Sequence, residues 1–295
     1  MELFTGSGVA LITPFDENGD VNYSRLREIL EFHVINHTDA IIVTGTTGEG
    51  STLSDEEKIS VIEFTVDIIN SRIPVIAGTG SNDTRHAAEF SKRVEKLGVD
   101  GLLVVTPYYN KGNENGIYEH YKAIAEGVKI PVILYNVPSR TGVNLSIPLL
   151  KRLAQIENIT ALKEASGNIS YVAEVAREVP KLDIYSGNDD MVVPVLSLGG
   201  KGVISVSANI IPDISHDMTA SFLKGDVKKA RELQLKYNDL VNALFLETNP
   251  VPVKEAMNFL GYEVGNCRLP LGAMNESNRA RLTDILTAHE VTGWK

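Results

Sequence analysis

AIIVTGTTG (40–48), SDEEKISVIEFTVDIIN (54–70), PVIAGTG (74–80), DTRHAAEFSKRVEKLG (83–98) and GLLVVTPYY (101–109) follow one another in the first third of the chain. The first, third and fifth are short, apolar and rich in β-branched residues, as strands buried on both faces are. The other two carry helical spacing. Ser54 stands as an N-cap with Glu57 at the capping-box position, and Gly98 closes the second helix. Strand, helix, strand, helix, strand predicts a parallel sheet with crossover helices.

The same alternation extends in both directions. GVALITPF (8–15), PVILYNVP (131–138), ITALKEAS (159–166), LDIYSGND (182–189) and GVISVSAN (202–209) bring the strand-like runs to eight. YSRLREILEFHVI (23–35) reads as the helix between the first two, with Leu26, Ile29, Leu30 and His33 or Val34 on one face. Eight units within about 220 residues favour a closed (β/α)8 barrel over an open doubly wound sheet. Beyond about residue 210 only helical patterns remain. The expected organisation is a catalytic barrel over 1–225 and a helical C-terminal extension over 226–295 packed on it.

Composition narrows the function. Apolar residues make up 43% and charged residues 22% of the 295, a globular balance. The net charge of −10 argues against a nucleic-acid binder. Cys267 is the only cysteine, so neither an internal disulfide nor a thiolate metal cluster is expected. No run approaches the ~18 apolar residues of a membrane span. The N-terminus has no basic region ahead of its apolar run and reaches Pro14 early, so a cytoplasmic protein is expected. His33 and His37 are spaced i, i+4, but HExxH is absent and no third metal ligand is evident.

Barrel enzymes carry their chemistry at the C-terminal ends of the strands. Those ends hold Thr46, Thr47 and Glu49; Tyr108 and Tyr109; Tyr135, Asn136 and Arg140; Lys163 and Glu164; Ser186 to Asp190; and Ser205, Ser207 and Asn209. Period-2 alternation groups Ile159, Ala161, Lys163 and Ala165 on one face, with Leu162 on the other. If Leu162 faces the helices, Lys163 points into the barrel, where desolvation would free its amine as a nucleophile. Alternation allows equally a lysine that snorkels from a strand end. Tyr135 could exchange protons beside such an amine, or simply pack its ring. GTTGEG (45–50) could offer hydroxyls and backbone N–H groups to a carboxylate, although it is neither GxGxxG nor a P-loop. GGKG (199–202) precedes a strand and reads as a turn.

Together GTTGE (45–49), TPYYN (106–110), YNVPSRTG (135–142), ALKEASGN (161–168), SGND (186–189) and GVISVSAN (202–209) resemble, in order and spacing, the dihydrodipicolinate synthase family. The resemblance covers essentially the whole chain. It implies condensation of pyruvate with L-aspartate 4-semialdehyde through a lysine Schiff base, the committed step of diaminopimelate and lysine biosynthesis. No cofactor or metal is implied, because the imine is the electron sink. Lys163 matches the Schiff-base lysine and Tyr135 the proton-shuttling tyrosine. Thr46 matches the hydroxyl linking that tyrosine to a second one, matched by Tyr109, which enters from a neighbouring subunit. Thr47 matches a ligand of the pyruvate carboxylate, and Arg140 the arginine that meets the semialdehyde carboxylate. Gly187 and Ile204 match positions whose backbone lines the pocket. A homo-oligomer is implied, at least a dimer, with a tetramer the family's commonest form. The nearest alternative is an N-acetylneuraminate or 2-keto-3-deoxy sugar acid lyase of the same superfamily, which typically lacks an arginine at the position of Arg140.

The chain departs from the family in one region. Many bacterial members bind lysine as a feedback inhibitor at a cleft with two histidines and a glutamate. Here Asp55 and Lys58 stand at the histidine positions and His86 at the glutamate, although Asn82 and Tyr108 remain. Insensitivity to lysine is therefore expected, because Lys58 adds like charge and the glutamate's charge is lost.

Overall fold

The computed structural model describes residues 3–293. Its eight strands are β1 (Gly6–Ala10), β2 (Ala40–Val43), β3 (Val75–Gly78), β4 (Gly101–Val105), β5 (Val132–Asn136), β6 (Ile159–Glu164), β7 (Asp183–Ser186) and β8 (Gly202–Ser205). Each pairs in parallel with its neighbours, and β8 closes on β1, so the sheet is a barrel without edges.

The helices α1 (Tyr23–Ile35), α2 (Asp55–Ile69), α3 (Thr84–Glu95) and α4 (Glu114–Ala125) each connect two consecutive strands, with their apolar stripes turned inward. Leu26, Ile29, Leu30 and His33 form the buried face of α1, and the Ser54–Glu57 capping box opens α2. The short α5 (Pro138–Thr141) and α6 (Ile147–Leu153) share the next crossover, before α7 (Ile169–Glu178) and α8 (Val192–Ser197). After β8 come α9 (Pro212–Leu223), α10 (Val227–Lys236), α11 (Asn238–Ala243), α12 (Val251–Phe259) and α13 (Glu276–Ala288). Tyr237 separates α10 from α11, and its buried ring stacks on His289. Among the described residues no helix is long and apolar enough to cross a membrane.

Two apolar layers hold the barrel. The larger lies between strands and helices and includes Leu102, Leu134 and Leu162. The smaller fills the interior with Ile42, Ile76, Leu103, Ile133, Ala161 and Ile204, and Phe4 stacks on Tyr185 at 4.4 Å. Two expectations need correction. Ile159 does not share the inner face of Ala161. The β5–β6 register slips, with Val132 opposite Ile159 but Ile133 opposite Ala161, so Ile159 packs in the outer layer. The first run also starts earlier than expected, at Gly6, and leaves the sheet after Ala10. There the ladder gives way to a side chain, because Ile12 N donates to Asn209 Oδ1 at 3.1 Å.

Closure of the barrel puts glycine against glycine. Gly6 pairs with Gly202, the last residue of GGKG and the first of β8. A Cβ at Gly202 would lie 1.9 Å from the carbonyl oxygen of Gly6. Gly202→Ala is therefore expected to lower stability by about 1–3 kcal/mol, as overpacking does, and more if the seam opens. Gly272→Ala is the control, since a Cβ there meets nothing within 4 Å. Denaturation midpoints of the two variants check this, and equal midpoints would refute it.

Candidate active site

Lys163 and Tyr135 are register partners on adjacent strands, and both project into the barrel near its C-terminal end. The Lys163 Nζ lies 4.4 Å from the centre of the Tyr135 ring. Lys163 is only 5% exposed. Burial drives its amine down to about 8, with the Asp189 charge opposing and the Arg140 charge assisting. Burial likewise raises the Tyr135 phenol, against the lowering effects of Arg140 and of a hydrogen bond with the Thr46 side chain. The inward reading of Lys163 thus replaces the snorkelling one.

The wall behind these two residues is polar and closed. Asn136 and Glu164, the next register pair, turn outward; Asn136 Nδ2 donates to Glu164 Oε2 at 2.7 Å and to Asn144 Oδ1 at 2.8 Å. Ser166 N donates to Glu164 Oε1 at 2.6 Å and Leu145 N to Asn136 Oδ1 at 3.1 Å, so the network leaves its buried acceptors occupied. On the other side of Lys163, Gly187 has no room for a side chain. A Cβ there would sit 2.6 Å from Ala165 Cβ and 3.1 Å from Lys163 Cε. Ile204 is fully buried in the inner layer.

Thr46, Tyr135 and Arg140 line one cavity of about 330 Å³. Thr47 is buried and does not line it; its hydroxyl accepts from Asn249 Nδ2 at 2.9 Å. Arg140 Nη2 donates to the backbone oxygen of the same Asn249 at 3.0 Å. Lys254 Nζ, on α12, donates to Glu49 Oε1 at 2.8 Å, with both side chains at 2% exposure or less. Arg268 N completes the carboxylate through Glu49 Oε2, and the Lys254 ammonium lies 4.1 Å from the centre of the Phe15 ring. This clamp holds the GTTGEG loop, in which Glu49 takes φ +53°, a conformation that costs a non-glycine residue about 1–2 kcal/mol. Asn249 and Lys254 were not singled out by sequence reading. Their partners lie 202 and 205 residues away, and no local pattern marks them.

Tyr109 stands apart. It is 90% exposed at φ +72° and does not line the cavity, whereas Tyr108 does. The histidines hold no metal-like arrangement. His33 is buried against Thr38 and its imidazole is driven down to about 3 by burial. Among the described residues no group of three or more His, Cys, Asp or Glu could hold a metal ion.

A closed eight-stranded barrel with a desolvated lysine amine at the end of its sixth strand defines the class, a barrel lyase of the class I aldolase type. The chain belongs to the dihydrodipicolinate synthetase family, whose model matches residues 3–289. The 4-hydroxy-tetrahydrodipicolinate synthase of Brachyspira hyodysenteriae is 55% identical over 289 residues, covering 98% of this chain and 99% of that one. The dihydrodipicolinate synthase of Aquifex aeolicus superposes with a TM-score of 0.96 at 44% identity, over 99% of this chain and 100% of that one. The enzyme from Cyanidioschyzon merolae, solved with lysine bound, gives a TM-score of 0.95 at 39% identity, over 99% and 100% of the two chains.

Lys58, His86 and Tyr108 line the same cavity as Tyr135 and Arg140. Asp55, the one acidic group gained in this region, is already engaged by His86 Nε2 at 2.7 Å and by Lys58 Nζ at 3.6 Å. We propose that this wing does not hold lysine. Titration calorimetry at about 1 mM L-lysine is expected to give no saturable heat, because losing a charge-assisted acceptor and gaining a like charge weaken binding roughly 100-fold. Saturation below about 1 mM would show the wing to be a lysine site after all.

Proposed function

We propose that this protein condenses pyruvate with L-aspartate 4-semialdehyde to give 4-hydroxy-tetrahydrodipicolinate, in diaminopimelate and lysine biosynthesis. The observation that carries the reading is the desolvated Lys163 amine, lowered to about 8, set against Tyr135 on the neighbouring strand. At pH 7 about one such amine in ten is neutral, against a few in ten thousand at ordinary basicity. Lys163 attacks the ketone carbon of pyruvate, and loss of water gives the imine. Tyr135, with Thr46, moves the protons of that step. Thr47 receives the pyruvate carboxylate. A methyl proton leaves to form the enamine, which adds to the aldehyde of the second substrate, whose carboxylate meets Arg140. The amine of the adduct then displaces Lys163 as the ring closes.

Gly187 keeps the space beside the Lys163 stem open, and Ile204 gives the pocket its inner wall. Tyr109 belongs to the site of a partner copy, which its exposure supports, so the working unit is a homo-oligomer of at least two chains. We divide the chain at residue 225 into catalytic barrel and extension, and place the enzyme in the cytoplasm.

Borohydride trapping with pyruvate tests the nucleophile. Only the Lys163 peptide is expected to gain mass, and Lys163→Arg to gain none. The trapping rate is expected to rise with pH and level off above about 8, because the neutral amine is the reacting form. A label on another lysine, or a rate still climbing at pH 10, would overturn the assignment.

A coupled assay tests the overall reaction. Turnover with pyruvate and aspartate semialdehyde, and none with N-acetylneuraminate, is expected. Arg140→Ala should raise KM for the semialdehyde roughly 10- to 100-fold and that for pyruvate far less, as loss of a charge-assisted contact of about 1.5–3 kcal/mol requires. An unchanged semialdehyde KM would remove Arg140 from that role.

A further inference from the structure

Thr47 is 4% exposed, and its hydroxyl has one proton to give and lone pairs to offer. Asn249 Nδ2 donates to it at 2.9 Å, within the buried interior. A hydroxyl that accepts on one side keeps its proton for the other. A substrate carboxylate is acceptor-only, so a hydroxyl turned this way can donate to it, whereas one donating to Asn249 cannot. The opposite setting of the carboxamide would place two N–H donors where Asn249 Oδ1 now lies buried without a protein partner, which is the costlier arrangement.

Asn249 is itself held from both sides. Its backbone oxygen accepts from Arg140 Nη2 at 3.0 Å. It lies two residues before α12, whose Lys254 makes the buried pair with Glu49, two residues along from Thr47. Thr13 Oγ1 anchors the same loop by donating to Gly48 O at 2.7 Å. The extension therefore meets the GTTGEG loop at Glu49, held by Lys254 and the Arg268 amide, and at Thr47, held by the carboxamide of Asn249.

We infer that Asn249 is a positioning residue. Its carboxamide fixes the Thr47 hydroxyl as an acceptor toward the extension and a donor toward the pyruvate carboxylate. Its backbone carbonyl ties that contact to the guanidinium that meets the second substrate. The inference rests on the pyruvate-condensing reading above.

Half-saturating pyruvate in the borohydride trap, and KM for each substrate in the coupled assay, are measured for wild type, Asn249→Ala and Asn249→Asp, with each variant compared with wild type at the same pH. Asn249→Asp reverses the bond, because a carboxylate can only accept. Half-saturating pyruvate is expected to rise at least tenfold at pH 8 and to recover toward wild type as the pH falls and the carboxyl regains a proton to donate. Asn249→Ala is expected to rise several-fold, with no such pH dependence. The semialdehyde KM should move less than about threefold in both, since the backbone contact to Arg140 survives.

An Asn249→Asp enzyme equal to wild type would mean that Thr47 donates to Asn249, and would overturn the inference. Equal shifts for both substrates without a pH difference would reduce Asn249 to a structural role and overturn it likewise. If Asn249→Asp does not fold, Thr47→Val decides. It should raise half-saturating pyruvate at least as far as Asn249→Ala does, and adding Asn249→Ala to it should raise it no further; additive effects refute the coupling. Failure of the wild type to trap pyruvate at all would instead strike at the functional reading, and this inference would fall with it.

Discussion

A primary amine inside a closed barrel has little water to stabilise its charge. That single constraint organises the site. Lys163 is enclosed by the inner apolar layer, by the Tyr135 ring and by the backbone of Gly187, and what remains of its charge balance is set by Asp189 and Arg140 pulling in opposite directions. Asp189 is itself buried. Two backbone amides, Val206 N at 2.9 Å and Ser207 N at 2.7 Å, hold its carboxylate in place. The amine is therefore set chiefly by its own burial and by a fixed carboxylate in the dry interior, with Arg140 acting from the exposed side.

Much of the barrel was legible because its information is local. Eight apolar runs, the Ser54–Glu57 box and the stripe of α1 each depend on residues within a few positions of one another. The facing of Lys163 was legible only in part. Counting by twos from Lys163 reaches Ala161 correctly and then fails at Ile159, since the slipped register adds a residue that no composition signal announces. Tyr109 illustrates another limit. A strand-end tyrosine looks equally suited to its own site or to another, and no local pattern announces that Tyr109 stays 90% exposed on its own chain.

The extension was legible as helices and illegible as part of the site. Lys254 reads as an ordinary helix lysine, yet it is among the largest fully buried side chains. Taking both Lys254 and Glu49 out of water is expensive, and such pairs often add little net stability. What they specify is placement. An apolar pair would let α12 slide on the barrel, whereas an ammonium that must meet one carboxylate, one backbone oxygen of Asn266 and one aromatic face has a single seat.

The glycine seam between β1 and β8 bears on how the molecule comes into being. Asn209 reinforces the seam by donating from Nδ2 to Ala10 O, across 199 residues of chain. During synthesis the first strand must wait, unpaired on one side, until the eighth has left the ribosome. Contacts of such long range are formed late and slowly, and an unfinished barrel exposes two strand edges meanwhile. The half-made protein is thus the form most open to sticking to its neighbours. A short, glycine-bearing first strand is a poor template for that error, so the residues that permit closure also limit the damage while closure is pending.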